Sequence, residues 1–346
     1  MSALERHGRG RQVPGMTGPW VLGVDSGGSG LRVTLADASV PDSGKTRSVL
    51  VSDKPVRTGG AGIDAEHLME QLVPMARSLL EDVGRTSVTA AAVGAAGMST
   101  IGGQLRAVLP DALATALGVR RLALASDAVT AYAGALGQRP GAVVAAGTGL
   151  VALGTDLVDW RRADGWGHLL GDCGGGAWIG RAGLEAALRS HDGRPGGSRG
   201  LLAAAEASFG PAQSIPEAVY PRSDRPAVLA SFAPRVGRCA TEGDEVAVGI
   251  LTLAARHIAE AAAAALPPDR AVDEGSGYEV ALTGGLLKLG EPLLGPLREE
   301  LSTQLPDVRM VSAQGDPLAG AVLLAAALAT GSLQLPRHPT LLAVTE

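Results

Sequence analysis

The apolar positions of this chain fall first into short runs of β type joined by glycine turns, and later into helical stripes. In VLGVDSGGSGLRVTLAD (Val21–Asp37), Val21, Leu22 and Val24 mark a buried strand. Leu31, Val33 and Leu35 then alternate with Arg32 and Thr34, the period-2 pattern of a half-buried strand. Gly27, Gly28 and Gly30 lie between the two and predict a tight turn, because glycine reaches backbone angles that other residues resist. Val49 and Val51 predict a third strand. Leu68, Met69, Leu72, Met75, Leu79 and Leu80 share one side of a helix over 65–82, a helical period. Asp64 precedes it as a capping residue, with His67 at the third helical position. Ser87–Val93 and Arg121–Ala125 read as strands, Pro110–Leu117 and Ala128–Leu136 as helices. The resulting order, β-β-β-α-β-α-β, is an α/β sheet domain that opens on a hairpin.

A second half repeats the theme. GAVVAAGTGLVALGTD (Gly141–Asp156) is again strand, glycine turn, strand, with Gly147, Thr148 and Gly149 at the tip. A glycine-dense loop from Gly165 holds Trp166, His168, Asp172 and Trp178 and runs into a helix through Ala187. Residues 201–266 read as helical, with breaks near Gly210–Pro216 and Tyr220–Pro226 and a long alanine-rich helix over Glu242–Ala265. A strand, Tyr278–Leu282, ends in Thr283-Gly284-Gly285. Helical Leu286–Leu301, an edge strand over Val308–Val311 and a last helix, Leu318–Leu328, complete the pattern. The expected organisation is a tail over 1–18, a first domain over 19–126, a second over 127–334 with its last helix packing back on the first, and a tail over 335–346.

Composition narrows the function. The 346 residues, 46% hydrophobic, give room for two domains with full cores. A net charge of −5 with no basic stripe argues against a nucleic-acid partner. No apolar run is long enough to span a membrane, and Ala261–Leu266 is closed by Pro267 and Pro268. The Gly- and Arg-rich start lacks the apolar core of a signal peptide. Cys173 and Cys239 read as free thiols of a cytoplasmic protein. Abundant Ala and Gly beside 3% aromatics read as coding bias.

The candidate chemistry gathers at strand ends. A glycine hairpin presents backbone N–H groups to a phosphate, and Asp25 beside it suits Mg²⁺, which prefers oxygen ligands. No Gly-Lys-Ser/Thr closes the turn, and it leads into a strand rather than a helix, so it is neither a Walker A loop nor a dinucleotide fingerprint. Asp25, Ala96–Gly97 and Asp127 fall where strands of α/β sheets present ligands; Asp127 also reads as a helix N-cap. Paired hairpins suggest a duplicated unit holding a nucleotide. Trp166 suits a sugar face and Asp172 its hydroxyls, with a packed turn as the alternative. Gly284 and Gly285 suit close approach of adenine, with a plain helix N-terminal turn as the alternative. His168 and Cys173 lack zinc-ligand spacing.

VDSGGSGLR (Val24–Arg32), SDA (Ser126–Ala128), AGTGL (Ala146–Leu150), GWGHLLGD (Gly165–Asp172), AWIGRAGL (Ala177–Leu184), TGGLL (Thr283–Leu287) and GDPLAGAVLLA (Gly315–Ala325) together resemble the sugar kinases of the actin/hexokinase/Hsp70 superfamily. The likeness is greatest to the N-acetylglucosamine kinase branch, which shares a domain type with the BadF/BadG/BcrA/BcrD ATPases. GWGHLLGD followed by WIG is its most specific piece. The resemblance implies two ribonuclease H-like (actin-like ATPase) domains about a cleft, ATP and Mg²⁺ as cofactors, a small sugar substrate, and allows a homodimer. It assigns Gly27, Gly28 and Ser29 to a first phosphate loop, with Asp25 helping to hold Mg²⁺. Asp127 becomes the general base on the sugar 6-hydroxyl. Gly147, Thr148 and Gly149 form a second phosphate loop, with Thr148 near the γ-phosphate. Ala96, Gly97, Trp166, Gly167 and Asp172 line the sugar, and Gly284 and Gly285 lie under adenosine.

Three positions depart from the family's pattern, all in the sugar half. Gly59–Asp64 lacks an Asn, Ala96-Gly97 replaces Ser-Gly, and Cys173 replaces a Glu. N-acetylglucosamine is the first acceptor implied; glucosamine, N-acetylmannosamine and N-acetylmuramic acid stay open. Two other classes remain: an ATPase activator of a 2-hydroxyacyl-CoA dehydratase, which needs cysteines for an iron–sulfur cluster, and a sugar sensor without catalysis. Retention of Asp25, Asp127 and Thr148 favours the kinase.

Overall fold

The computed structural model describes residues 18–27, 30–39, 48–59, 62–267 and 277–346. Residues 1–17 of the expected tail, and Gly28 and Ser29 of the first turn, lie outside them. The first half contains strands Trp20–Gly27 (β1), Gly30–Asp37 (β2), Leu50–Ser52 (β3), Thr58–Gly59 (β4) and Gly62–Ile63 (β5), then helix Ala65–Asp82 (α1). Strand Ala90–Ala95 (β6), helices Met98–Ile101 (α2) and Gly103–Leu117 (α3), strand Arg121–Ser126 (β7) and helix Asp127–Leu136 (α4) follow. Asp64 caps α1 as expected, accepting from the His67 N–H. The third helix is twice the expected length, with Pro110 inside it rather than at its start.

The second half begins with strands Gly141–Ala146 (β8), Leu150–Thr155 (β9) and Trp160–Asp164 (β10). Helices Gly176–His191 (α5), Arg199–Phe209 (α6), Ile215–Val219 (α7), Arg225–Ala230 (α8), Ala233–Thr241 (α9) and Glu245–Ala265 (α10) follow. Strand Glu279–Thr283 (β11), helix Glu291–Gln304 (α11), strand Arg309–Ser312 (β12), helix Pro317–Thr330 (α12) and strand Leu342–Thr345 (β13) end the chain. The expected helix over 242–265 is two: Gly243, at φ +90°, breaks it, and Asp244 caps α10.

Two sheets share one plan. The first runs β13-β7-β6-β1-β2-β3 and the second β10-β9-β8-β11-β12. Leaving β13 aside, each has three antiparallel strands followed by two parallel ones. The residues 335–346 expected as a tail instead end in β13, antiparallel to β7, with Leu342 fully buried. Alternation decides which side chains go where. Leu22, Val24, Leu31 and Val33 face α1 and α3, whereas Val21, Ala90, Ala92 and Ala123 face the other way. On that inner side they share a core with Val129 and Tyr132 of α4, Ala321 and Leu324 of α12, and Val143, Leu153 and Ala281 of the second sheet. Helix α4 thus packs on strands of both sheets, and α12 packs on α4 and on the first sheet. The second sheet's outer face is covered by α5 and α10, with Ile179, Leu251, Ala254 and Ile258 buried.

Candidate active site

The parallel register of the first sheet aligns its candidate residues. Asp25 pairs with Gly94, Ser26 with Ala95, and Ala95 in turn with Ser126, so Asp25, Ala96–Gly97 and Asp127 sit at the ends of adjacent strands. Ser126, not Asp127, caps α4: its Oγ accepts from the Val129 N–H at 3.3 Å. Asp127 is therefore the first helical residue, and its carboxylate is left for the cleft, accepting from the Ala128 N–H at 2.9 Å. Solvent reaches it, yet protein surrounds it on most sides. That loss of hydration pushes its pKa above the ordinary carboxylate range, the Ala128 N–H opposes the shift, and Asp25 adds to it. A carboxylate so tuned is a stronger base than a free Asp, which suits it to accept a proton.

Asp25 lies opposite Arg32 in the hairpin register. Arg32 donates Nε and Nη2 to Asp25 Oδ2 at 3.0 and 2.6 Å, and Nη1 to Asp316 Oδ2 at 2.5 Å. Asp316 also caps α12 through Oδ1, which accepts from the Ala319 N–H at 3.0 Å. One guanidinium thus ties the first hairpin to the last helix. Neither Arg32 nor Asp316 was expected at the site.

The second hairpin tip is pinned from behind. The carbonyls of Gly147 and Thr148 accept from the N–H groups of Gly176 and Ala177 at 2.9 and 2.8 Å, at the start of α5. Thr148 is exposed. Gly284 has φ +110°, and a Cβ there would collide with the Ala146 carbonyl at the root of this loop. The loop after β10 is built by carboxylates. Asp164 accepts from the N–H groups of Asp172 and Cys173 at 2.6 and 2.8 Å, and Asp172 accepts from the Gly167 N–H at 3.0 Å. Both Asp164 and Asp172 adopt the left-handed conformation, φ 58° and 55°, uncommon outside glycine. Burial pushes the Asp172 pKa up. Trp166, Leu169 and Leu170 project from this fixed loop, 69%, 77% and 87% exposed. Cys239 lies in the second core, its thiol pushed up by burial.

These pieces meet at a cleft of about 430 Å³ lined by Gly97, Asp127, Gly147, Gly149, Asp172 and Gly284 among others. Asp25, Gly27, Ala96, Thr148, Trp166, Gly167 and Gly285 stand outside that lining. Pattern reading missed Arg162 and Asp164, because β10 itself was not expected. No group of three or more metal-binding side chains occurs among the described residues. Asp25, at the first hairpin with its Oδ2 engaged by Arg32, is nonetheless of the donor type that fits Mg²⁺, which is commonly held by one or two carboxylates plus substrate phosphates.

Two hairpin-led sheets, a shared helical layer and a carboxylate-floored cleft at the strand ends define an α/β ligand-binding protein of duplicated plan. The chain belongs to the BadF/BadG/BcrA/BcrD ATPase family, whose model matches residues 22–325. It is similar to the N-acetylmuramic acid/N-acetylglucosamine kinase of Clostridium acetobutylicum, 26% identical over 315 residues, covering 88% of this chain and 98% of the relative. The N-acetyl-D-glucosamine kinase of Dictyostelium discoideum is 23% identical, covering 88% and 97%. Among solved structures, a candidate N-acetylglucosamine kinase of Chromobacterium violaceum superposes with a TM-score of 0.61 at 27% identity, covering 89% of this chain and 99% of that one. A ROK family glucokinase from Streptomyces griseus, in complex with glucose and AMPPNP, shares the fold at a TM-score of 0.55 and 20% identity, covering 90% and 100%.

Proposed function

We propose that this chain is an ATP-dependent sugar kinase that phosphorylates the 6-hydroxyl of an amino sugar built on N-acetylglucosamine, between two ribonuclease H-like domains. The observation that carries this reading is Asp127, released from capping by Ser126 and facing the Gly147–Gly149 loop across one cleft. The names of the two relatives support the amino sugar.

Phosphoryl transfer asks mainly for positioning and charge stabilisation. Asp127 takes the proton of the 6-hydroxyl as its oxygen bonds to the γ-phosphorus and the bond to the bridging oxygen of ADP breaks. The N–H groups of Thr148 and Gly149, with the Thr148 hydroxyl, face the γ-phosphate, and Gly147, whose N–H donates to the Gly149 carbonyl at 2.9 Å, shapes the loop. Gly27, Gly28 and Ser29 cradle the other phosphates, and Gly284 and Gly285 pass under the adenosine. Asp25 would hold Mg²⁺ together with the nucleotide, and the ion would supply positive charge at the phosphates. Trp166 covers the sugar face, and Asp172, Gly167 and Ala96–Gly97 contact its polar edge. The glycine at 284 keeps this cradle open, because any side chain there displaces the Ala146 carbonyl.

Coupled ADP release with Mg-ATP tests the reading against N-acetylglucosamine, glucosamine, N-acetylmannosamine, N-acetylmuramic acid, glucose and no sugar. Strong stimulation by an amino sugar is the expected result. Turnover indifferent to every sugar overturns it.

A further inference from the structure

Arg162 is the one cation among the described residues lining the cleft, where it meets Asp127 and Asp172. Strand alternation aims it there. Trp160, two residues earlier on β10, turns inward to pack edge-on against Tyr132 of α4, with ring centroids 5.3 Å apart. Arg162 shares that face and pairs in register with inward-facing Leu153. Its guanidinium is held in one plane: Nε donates to the Asp164 carbonyl at 3.1 Å, Nη2 donates to the Gly165 carbonyl, and the group stacks 5.1 Å from the Trp166 ring centroid. A guanidinium carries five N–H donors, and Nη1 makes no hydrogen bond among the described residues. Nor does Arg162 form an ion pair among them. The cleft therefore contains a half-buried, pre-oriented cation whose open edge faces the cavity, on the strand that leads into the Trp166 loop.

We propose that Arg162 is a specificity residue that reads a carboxylate on the acceptor, so that this kinase favours amino sugars carrying an acidic substituent, of the N-acetylmuramic acid type. The inference rests on the sugar-kinase reading above and narrows its substrate class. A planar guanidinium matches a carboxylate in geometry as well as charge. A neutral sugar leaves that edge unmatched. An acidic sugar without Arg162 would instead meet only Asp127 and Asp172, both of which repel it.

The test compares kcat/KM for N-acetylmuramic acid, its neutral methyl ester and N-acetylglucosamine. The wild-type protein should prefer the free acid to the ester by on the order of 10- to 100-fold, the usual size of a hydrogen bond to a charged group. Arg162→Gln should collapse that acid-to-ester ratio toward one, whatever loss both substrates share, and Arg162→Lys should restore part of it. The wild-type ratio needs no variant, so a poorly folded Arg162→Gln does not blunt the test. Equal use of acid and ester by the wild type, with N-acetylglucosamine phosphorylated, overturns this inference and leaves the kinase intact. So does an Arg162→Gln variant that raises KM for Mg-ATP while keeping the ratio, since that assigns Arg162 to the nucleotide. Stimulation by no sugar at all removes the kinase reading itself.

Discussion

A single residue shift decides the chemistry at Asp127. Had Asp127 been the cap of α4, its carboxylate would have been engaged by the helix; Ser126 takes that role instead. Asp127→Asn should lower sugar-dependent turnover by roughly 10²- to 10⁴-fold, the usual contribution of a general base, while nucleotide binding by equilibrium titration is retained. Near-normal turnover would remove Asp127 as the base. Its raised pKa also has a sign. The base works deprotonated, so kcat/KM of the wild type should fall as pH drops through a value above the ordinary Asp pKa of about 4. In the native state the carboxyl holds its proton to higher pH than in the unfolded chain. Its stabilising contribution is complete below the unfolded pKa and lost as pH rises through the native one. Asp127→Asn should therefore raise the thermal midpoint at pH 7, with the gain shrinking as pH falls through the raised native pKa and gone below about pH 4. At this scale much was legible. Gly97, Asp127, Gly147, Gly149, Asp172 and Gly284, which line the cleft, all follow from strand ends and glycine turns, whereas Asp25 sits at its strand end outside the lining. Arg32 was legible too, and was passed over: a hairpin closed by Gly27 and Gly30 sets residue 25 opposite residue 32, a cross-strand ion pair fixed by register. Asp316 was not, because its approach to Arg32 spans 284 positions in sequence.

Among the elements, α4 and α12 explain the small residues. A Cβ at Gly320 would strike the Thr130 carbonyl, and one at Gly134 the Asp316 carbonyl. Gly23 and Gly94 similarly leave room for Val322 and Thr130. The two helices fit against each other and against the first sheet only with such faces, so these glycines and the inner alanines of β6 and β7 serve packing, where composition alone suggested coding bias. Gly320→Ala should destabilise the protein by about 1–3 kcal/mol, the usual cost of overpacking, read as a lower urea midpoint at constant slope. An unchanged midpoint would mean that the helices yield freely there. Gly284→Ala has a different effect. The φ of +110° costs a non-glycine residue roughly 1–3 kcal/mol, and displacement of the Ala146 carbonyl disturbs the Gly147 loop. KM for Mg-ATP should rise more than KM for the sugar; equal rises would detach Gly284 from the nucleotide. The hairpins, α1 and β11 showed in the pattern because their apolar period is strong. β10 did not, because WRRAD offers no alternation of apolar residues, and its pairing is supplied entirely by β9.

For the molecule as a whole, the last twelve residues matter more than their sequence promised. LAVT is short and follows a proline-containing segment, so nothing local distinguishes it from a loose end. In the fold, β13 becomes the outer neighbour of β7, the strand that leads into Asp127. The Leu341 carbonyl accepts from the Ser126 N–H at 2.9 Å, and Leu341 lines the cleft. The Pro336 carbonyl accepts from Trp160 Nε1 at 2.7 Å, fixing the strand on which Arg162 stands. Leu335, Leu341 and Leu342 are 2%, 9% and 0% exposed. Removal of residues 335–346 should therefore cost on the order of 5 kcal/mol from three buried leucines, and should act on both halves at once. If the shared layer of α4 and α12 makes the chain one cooperative unit, chemical denaturation of the shortened protein should still be a single transition at a lower midpoint, by fluorescence and by circular dichroism alike. Two separated transitions would show that β13 itself joins the halves. A wild-type midpoint with intact sugar-dependent turnover would return the segment to the status of a tail, and would detach the Ser126–Asp127 turn from the strand beside it.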